Sequence, residues 1–300
     1  MADELDLRDL RYFEAIADAG HVGRAARAQH RSQPTLTGAI RRLESKLGTT
    51  LFERAGRGIR LTAAGEALHA RARALRIAAT EAVREVADIG GGRAGVVRIG
   101  MVPTAARYLM PRLCAQFLAD SPGLAFKTVI ANNDVLHGSL KAGDIDLAVN
   151  IAAAVDEEIA SHAIFRDECV VVARRTHPVF RTSAAMKDLT RYGWLLGGPT
   201  LATREWLEQA FRKHRLPPPV VRIETNQVLL LPALIEETGL LSFMSRRHLR
   251  ARGPLREVEL RETTMRREFA LGYRKGSYLS PAAMRVIAEL RSGAGRLFAA

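Results

Sequence analysis

AARAQHRSQPTLTGAIRRLESKLGTTLFER, residues 25–54, decides how the first third of this chain folds. Ser32 can cap a helix, and Pro34 is tolerated in its first turn, where the missing N–H would be unpaired anyway. Gly48 supplies the stop. On a wheel of about 100° per residue, Leu36, Ile40, Leu43 and Leu47 fall in one stripe. Pro34, Thr35, Gly38, Arg41, Arg42 and Ser45 lie opposite. One face is therefore core, and the other is small, hydroxylic and basic. Small residues allow close approach to a groove, and arginines reach phosphates or guanine O6/N7. Ser32, Gln33, Pro34, Thr35, Thr37, Gly38, Arg41 and Arg42 are the candidate DNA-contacting residues.

Upstream, Leu7, Leu10, Phe13 and Ile16 recur every three residues, with Asp6 as N-cap and Gly20 as stop. A short helix over Val22–Gln29 follows, its Ala25 and Ala26 permitting close packing. This is a helix-turn-helix order. Downstream, LFERAGRGIRL (51–61) reads as two strands around a glycine-containing turn. Arg54, Arg57 and Arg60 would line such a wing against the DNA backbone. Residues 20–60 hold nine Lys/Arg and two acidic residues, a focused patch of the kind a polyanion requires. The whole chain is also basic, at +13, so charge alone does not locate the site.

Three stretches carry a resemblance to the LysR-type transcriptional regulators: LRDLRYFEAIADAG (7–20), AARAQHRSQPTLTGAIRRLESKLGTTLFER (25–54) and GIRLTAAGEAL (58–68). The resemblance implies a dimer or tetramer that binds DNA and controls nearby genes. This chain departs from the family pattern at His21 (usually Ser or Thr), Gln29 (Leu), Arg31 (Val) and Gly38 (a long polar or basic residue). Gly38 costs roughly 1 kcal/mol against alanine in a helix and removes a common base contact, which implies an unusual operator preference or weaker binding.

Thr62 can cap a connecting helix reaching about Ile89. Leu61, Leu68, Leu75, Ala82 and Ile89 recur every seven residues, with Ala72, Ala79 and Val86 at the second seam position. This pattern fits a helix pair between two copies, or a helix packed on its own effector domain. Gly90-Gly91-Gly92 would end it in a flexible hinge. The expected segments are 1–61 (winged helix-turn-helix), 62–92 (connecting helix and hinge) and 93–300 (effector domain).

From residue 93 helix and strand signals alternate, which places the chain in the α/β class, with a helix-rich N-terminal domain. Strands are expected at Val96–Val102, Leu124–Ala131, Asp146–Ile151, Trp194–Leu196, Val220–Thr225 and Leu240–Met244. Helices are expected at 105–119, 134–142, 203–214, 228–237 and 281–291. Two β-α-β-α-β runs imply two parallel-sheet lobes, 93–164 with 268–300, and 165–267. Phe165–Ala173 and Glu268–Arg274 would cross between them. VVRIGMVPTAARYLMPRL (96–113), LKAGDIDLAV (140–149), His177-Pro178 and ETNQVLLLPALIEETGL (224–240) resemble the LysR-type effector domain, which is similar to type II periplasmic-binding proteins. A ligand would sit between lobes, where strand ends meet helix N-termini. The candidates are Pro103, Thr104, Thr200, Thr203, Thr225, Asn226 and Gln227. Free N–H groups at helix starts favour a small carboxylate or another anion.

Other classes find little in the residues. No stretch approaches the roughly 20 apolar residues of a membrane helix. Residues 1–10 are acidic and unlike a leader, so the cytoplasm is expected, not export as a solute-binding protein. Cys114 and Cys169 form no CxxC pair, the eight histidines are scattered, and no HExxH, GxSxG or P-loop motif occurs. No catalysis, cofactor or metal is therefore expected, and a thiol-based redox sensor is the alternative. Expected partners are promoter DNA, a small-molecule effector and a second copy, with RNA polymerase a further candidate.

Overall fold

The computed structural model describes residues 5–56, 58–91, 95–121, 123–152, 156–181, 185–249 and 251–299. Two compact units divide the chain, residues 1–92 and 93–300. No described helix is long and apolar enough to cross a membrane.

The first unit contains α1 (Leu7–Ala19), α2 (Val22–Ala28), α3 (Gln33–Leu47), a hairpin of β1 (Phe52–Ala55) and β2 (Gly58–Leu61), and α4 (Ala63–Gly91). Its helix boundaries follow from capping. Asp6 accepts from the Arg8 N–H, Ser32 from the Thr35 N–H, and Thr62 from the Gly65 N–H. Gly20 and Gly48 end α1 and α3 at φ of 60° and 65°, where a side chain would be strained. Phe13, Ile16, Leu36, Leu43 and Leu51 are fully buried and join the three helices to the hairpin. Leu47 is exposed, one turn beyond the core stripe. A Cβ on Gly58 would stand 2.9 Å from the Gly20 carbonyl oxygen, so the close seat of the wing against the α1–α2 turn requires glycine there.

His21 replaces the usual hydroxyl cap of α2. Its Nδ1 accepts from the Gly23 N–H at 3.0 Å and the Arg24 N–H at 3.4 Å. The imidazole thus satisfies orphan donors that a Ser or Thr oxygen would otherwise serve. His21→Ala is expected to cost about 1 kcal/mol of unfolding free energy, and His21→Ser to restore most of it. Urea unfolding checks this; an alanine variant as stable as the parent would show that the imidazole caps nothing.

The second unit is built on one continuous sheet. Its strands are β3 (Val96–Met101), β4 (Ala125–Ile130), β5 (Leu147–Ile151), β6 (Ile159–Arg174), β7 (Gly193–Leu196), β8 (Val220–Glu224), β9 (Leu241–Ser245), β10 (Leu255–Glu257) and β11 (Met265–Arg274). They run in the order β4-β3-β5-β11-β6-β9-β7-β8, with β10 on β6. β3 pairs in parallel with β4 and β5, and β7 with β8 and β9. The long strands β6 and β11 are antiparallel to each other and join the two parallel halves. The expectation of two sheets is corrected in this respect: the lobes share a sheet, because β11 pairs with β5 and β6 at once.

The helices are α5 (Pro103–Asp120), α6 (Asn133–Ala142), α7 (Ala202–Lys213), α8 (Leu231–Thr238) and α9 (Pro281–Ala299). One core gathers Leu109, Leu136, Val149, Phe269 and Leu290; another gathers Trp194, Leu207, Phe211, Leu241 and Val171. α9 outruns its expected end at Arg291 despite Gly293 and Gly295. Buried Ala294 and the partly buried Leu297 hold its last turns on the first core, and that packing outweighs the helix cost of glycine. The helix expected from Val228 begins as a 3-10 turn, Val228–Leu230, and becomes α-helical at Leu231.

Candidate DNA interface and effector cleft

α3 presents Ser32, Gln33, Pro34, Thr35 and Arg41 to solvent, with Thr37 and Gly38 half-buried beside them. The hydroxyls are already engaged: Ser32 Oγ lies 2.7 Å from Thr35 Oγ1, and Thr37 Oγ1 donates to the Gln33 carbonyl. A Cβ on Gly38 would meet only Arg42 Nη1, at 3.4 Å, so packing gives no reason for glycine there.

The two arginines that look equivalent in sequence are not. Arg42 donates through Nε and Nη2 to both oxygens of Asp9, at 2.8 and 2.6 Å, and that carboxylate belongs to a buried residue of α1. This fork ties α3 to α1. Arg41 is exposed and forms no ion pair among the described residues. The wing is divided too. Glu53 faces Arg60 across the hairpin and accepts from it at 2.7 Å, whereas Arg54 faces Ile59. With alternation along a strand, Arg54 and Arg60 lie on opposite faces. Arg57 and Gly92 lie outside the described residues; the expected stop at Gly90 is corrected, because α4 stays helical through Gly91.

The seven-residue seam on α4 needs correction at its start. Leu61 and Leu68 pack into the core of the first unit, and so does Ala72. They point inward because the hairpin and α1 already cover that end of the helix, which Glu14 grips through a two-oxygen ion pair to Arg76. The exposed apolar stripe begins at Leu75 and continues through Ala82, Val83, Val86 and Ile89, the large ones 51–77% exposed. Leu7 of α1, 66% exposed, lines the same groove of about 440 Å³ as Leu75, Ala79 and Val83.

In the second unit a cleft of about 400 Å³ lies between the two halves of the sheet. Pro103, Thr104, Thr200, Thr203 and Asn226 line it; Thr225 and Gln227 do not. Thr225 instead accepts the Gln227 N–H in a local turn, 3.1 Å. Asn226 Oδ1 accepts the Gly198 N–H at 2.9 Å, which fixes the loop ahead of α7. The starts of α5, α6 and α7 all border this cleft, and none of the three N-cap positions, Val102, Asn132 and Leu201, makes a side-chain cap bond. Free N–H groups and the positive ends of three helix dipoles therefore converge.

Sequence reading missed Arg267, Asn132, Asn133 and Asp134. Arg267 is 93% buried as a side chain and salt-bridged to Asp167 at 2.6 Å. Its Nη2 also donates to Thr104 Oγ1 at 3.3 Å, and Ser245 Oγ donates to Asp167 at 2.8 Å. Asn133 holds both polar groups of Ile151. Behind the cleft, burial and the neighbouring Arg107 push His248 down to about 4, so a neutral imidazole packs edge-on against Tyr108. Burial pushes the Cys169 thiol up to about 12 and raises Cys114 as well. Neither is a ready thiolate near neutrality, so the thiol-sensor alternative draws no support from these sites.

A winged helix-turn-helix joined to a two-lobed α/β unit with an open cleft defines a DNA-binding regulator with an effector domain. A family model described as "Bacterial regulatory helix-turn-helix protein, lysR family" matches residues 7–66, and one described as "LysR substrate binding domain" matches residues 90–295. The chain is 34% identical over 230 residues to the regulator PcaQ of Agrobacterium fabrum, covering 75% of this chain and 74% of that one. It is 29% identical over 296 residues to the regulator CbbR of Rhodospirillum rubrum, covering 96% of each. Among solved structures, a full-length OxyR variant from Pseudomonas aeruginosa matches with a TM-score of 0.65 at 24% identity, covering 98% of this chain and 97% of that one. Full-length CbnR complexed with its target DNA matches with a TM-score of 0.62 at 23% identity, covering 96% and 99%. The chain belongs to the LysR family of transcriptional regulators and is a DNA-binding regulator with an effector domain.

Proposed function

We propose that this regulator reads promoter DNA through the exposed face of α3, with Gln33 and Arg41 as side chains that form no hydrogen bond or ion pair among the described residues, and that a small anion in the cleft controls it. The observation that carries the second half is the convergence of three uncapped helix N-termini on one cleft. It works by binding, not by turnover, in the cytoplasm, where promoter DNA is found. Two copies joined along α4 would present two reading heads to a two-fold operator at one-turn spacing or a multiple of it. Effector binding shifts the lobes between two arrangements, and the paired heads follow.

Fluorescence anisotropy on the chain's own upstream DNA, against scrambled DNA across a salt series, tests the first half. Selective binding should fall with a log–log salt slope of about −5 to −9, the value for roughly 6–10 phosphate contacts. Equal affinity for scrambled DNA would remove the sequence-reading role of α3.

A further inference from the structure

We propose that Arg267 is the anion receptor of the cleft, and that the effector is a monoanion with a compact apolar body. This rests on the reading of the cleft as the effector site.

The geometry of the guanidinium carries the proposal. Nε and Nη2 donate to Asp167 at 2.9 and 2.6 Å, and Nη2 also reaches Thr104. Nη1 makes no hydrogen bond to another described residue. The side chain is held from three sides: Asp167 on one edge, Thr104 at the corner, and the Phe269 ring 5.0 Å from Cζ. A buried guanidinium, fixed in place with a donor pair to spare and lining the cleft, is a ready half-site for a carboxylate or similar oxyanion.

Charge decides how much negative charge the site takes. Arg267 and Asp167 cancel as a buried pair. The starts of α5, α6 and α7 each contribute roughly +0.5, or about +1.5 together. One negative charge is compensated. A second is not, and exposed Asp134 at the rim opposes it. Val102, Pro103, Ile151, Leu201, Ala202 and Val228 give the wall its apolar part, beside the polar Thr200, Thr203, Asn132, Asn133 and Asn226. A ligand with charge at one end and a compact hydrocarbon body meets both the guanidinium and these apolar side chains.

Isothermal titration of the full chain with benzoate, its neutral isostere benzamide, and the dianion phthalate tests this. Benzoate should bind at least tenfold tighter than benzamide, and phthalate no tighter than benzamide. In Arg267→Gln/Asp167→Asn the ion pair becomes two amides with no uncompensated buried charge, and benzoate should lose its advantage. Should that variant fail to fold, Arg267→Lys serves: it keeps Asp167 paired but has no second edge, and should also lose tenfold. A variant that folds and keeps the parent's preference for benzoate would overturn the role of Arg267 while leaving the anion cleft standing. Benzoate no better than benzamide on the parent chain would bring down both. Phthalate binding as tightly as benzoate would overturn the monoanion class.

Discussion

A chain carrying Val83→Glu and Val86→Glu is expected to sediment as a monomer at concentrations where the parent is a dimer or larger. The stripe of Leu75, Val83, Val86 and Ile89 lies exposed on α4, with no core of its own unit to cover it. These residues span 14 steps of helix, about 21 Å. Fully burying each such side chain is worth about 1.5–3 kcal/mol, so two copies covering one another gain on the order of 10 kcal/mol before the cost of association. Two opposed pairs of glutamates would replace that gain with buried charge. The dimer constant should weaken at least 100-fold, and promoter affinity should fall with it, because a single head grips only one half-site. Glutamate keeps helix propensity, so α4 itself should survive. Sedimentation and anisotropy on the same samples check both effects. A variant that stays dimeric with unchanged promoter affinity would place the self-association surface elsewhere.

What could be read from the residues divides by range. Caps and periodicity are local, so α1, α2, α3 and the start of α4 were legible through Asp6, Ser32, Gly48 and Thr62. The β-α-β order of the second unit was legible for the same reason. The early start of β6 was not, because Ala160, Ser161, His162 and Ala163 lack strand propensity and are extended only because β11 lies alongside. Two further features depend on distant partners. Leu61 and Leu68 keep the seven-residue spacing but serve the hairpin and α1. Arg267 sits in a charged run, Arg266-Arg267-Glu268, just ahead of the strand expected from Glu268. Only register opposite Asp167, 100 residues earlier, buries it and aims it at the cleft. The starts of α5 and α7 at the cleft were found because they are local signals; the α6 start and the buried charge were not.

Arg41 and Arg42 should separate into opposite phenotypes, although they are adjacent and of one type. Asp9 is almost fully buried and holds both its oxygens on Arg42. Arg42→Ala leaves that carboxylate without its fork, and a buried acceptor without its donor is costly. The first unit should melt several degrees lower, with faster hydrogen exchange in α1 and α3, and the salt slope of DNA binding should stay unchanged. Arg41→Ala removes no hydrogen bond or ion pair among the described residues, so melting should not move. Its loss should appear on DNA. If Arg41 meets a phosphate, affinity falls equally on all sequences and the salt slope loses about 1; if it reads guanine, discrimination at one position falls by about 1–3 kcal/mol. The reverse pattern, with Arg41→Ala unstable and Arg42→Ala stable but blind to the promoter, would mean that the fork to Asp9 opens on DNA. Arg42 would then rotate into the groove, and the pair with Asp9 would be a resting contact of the free protein.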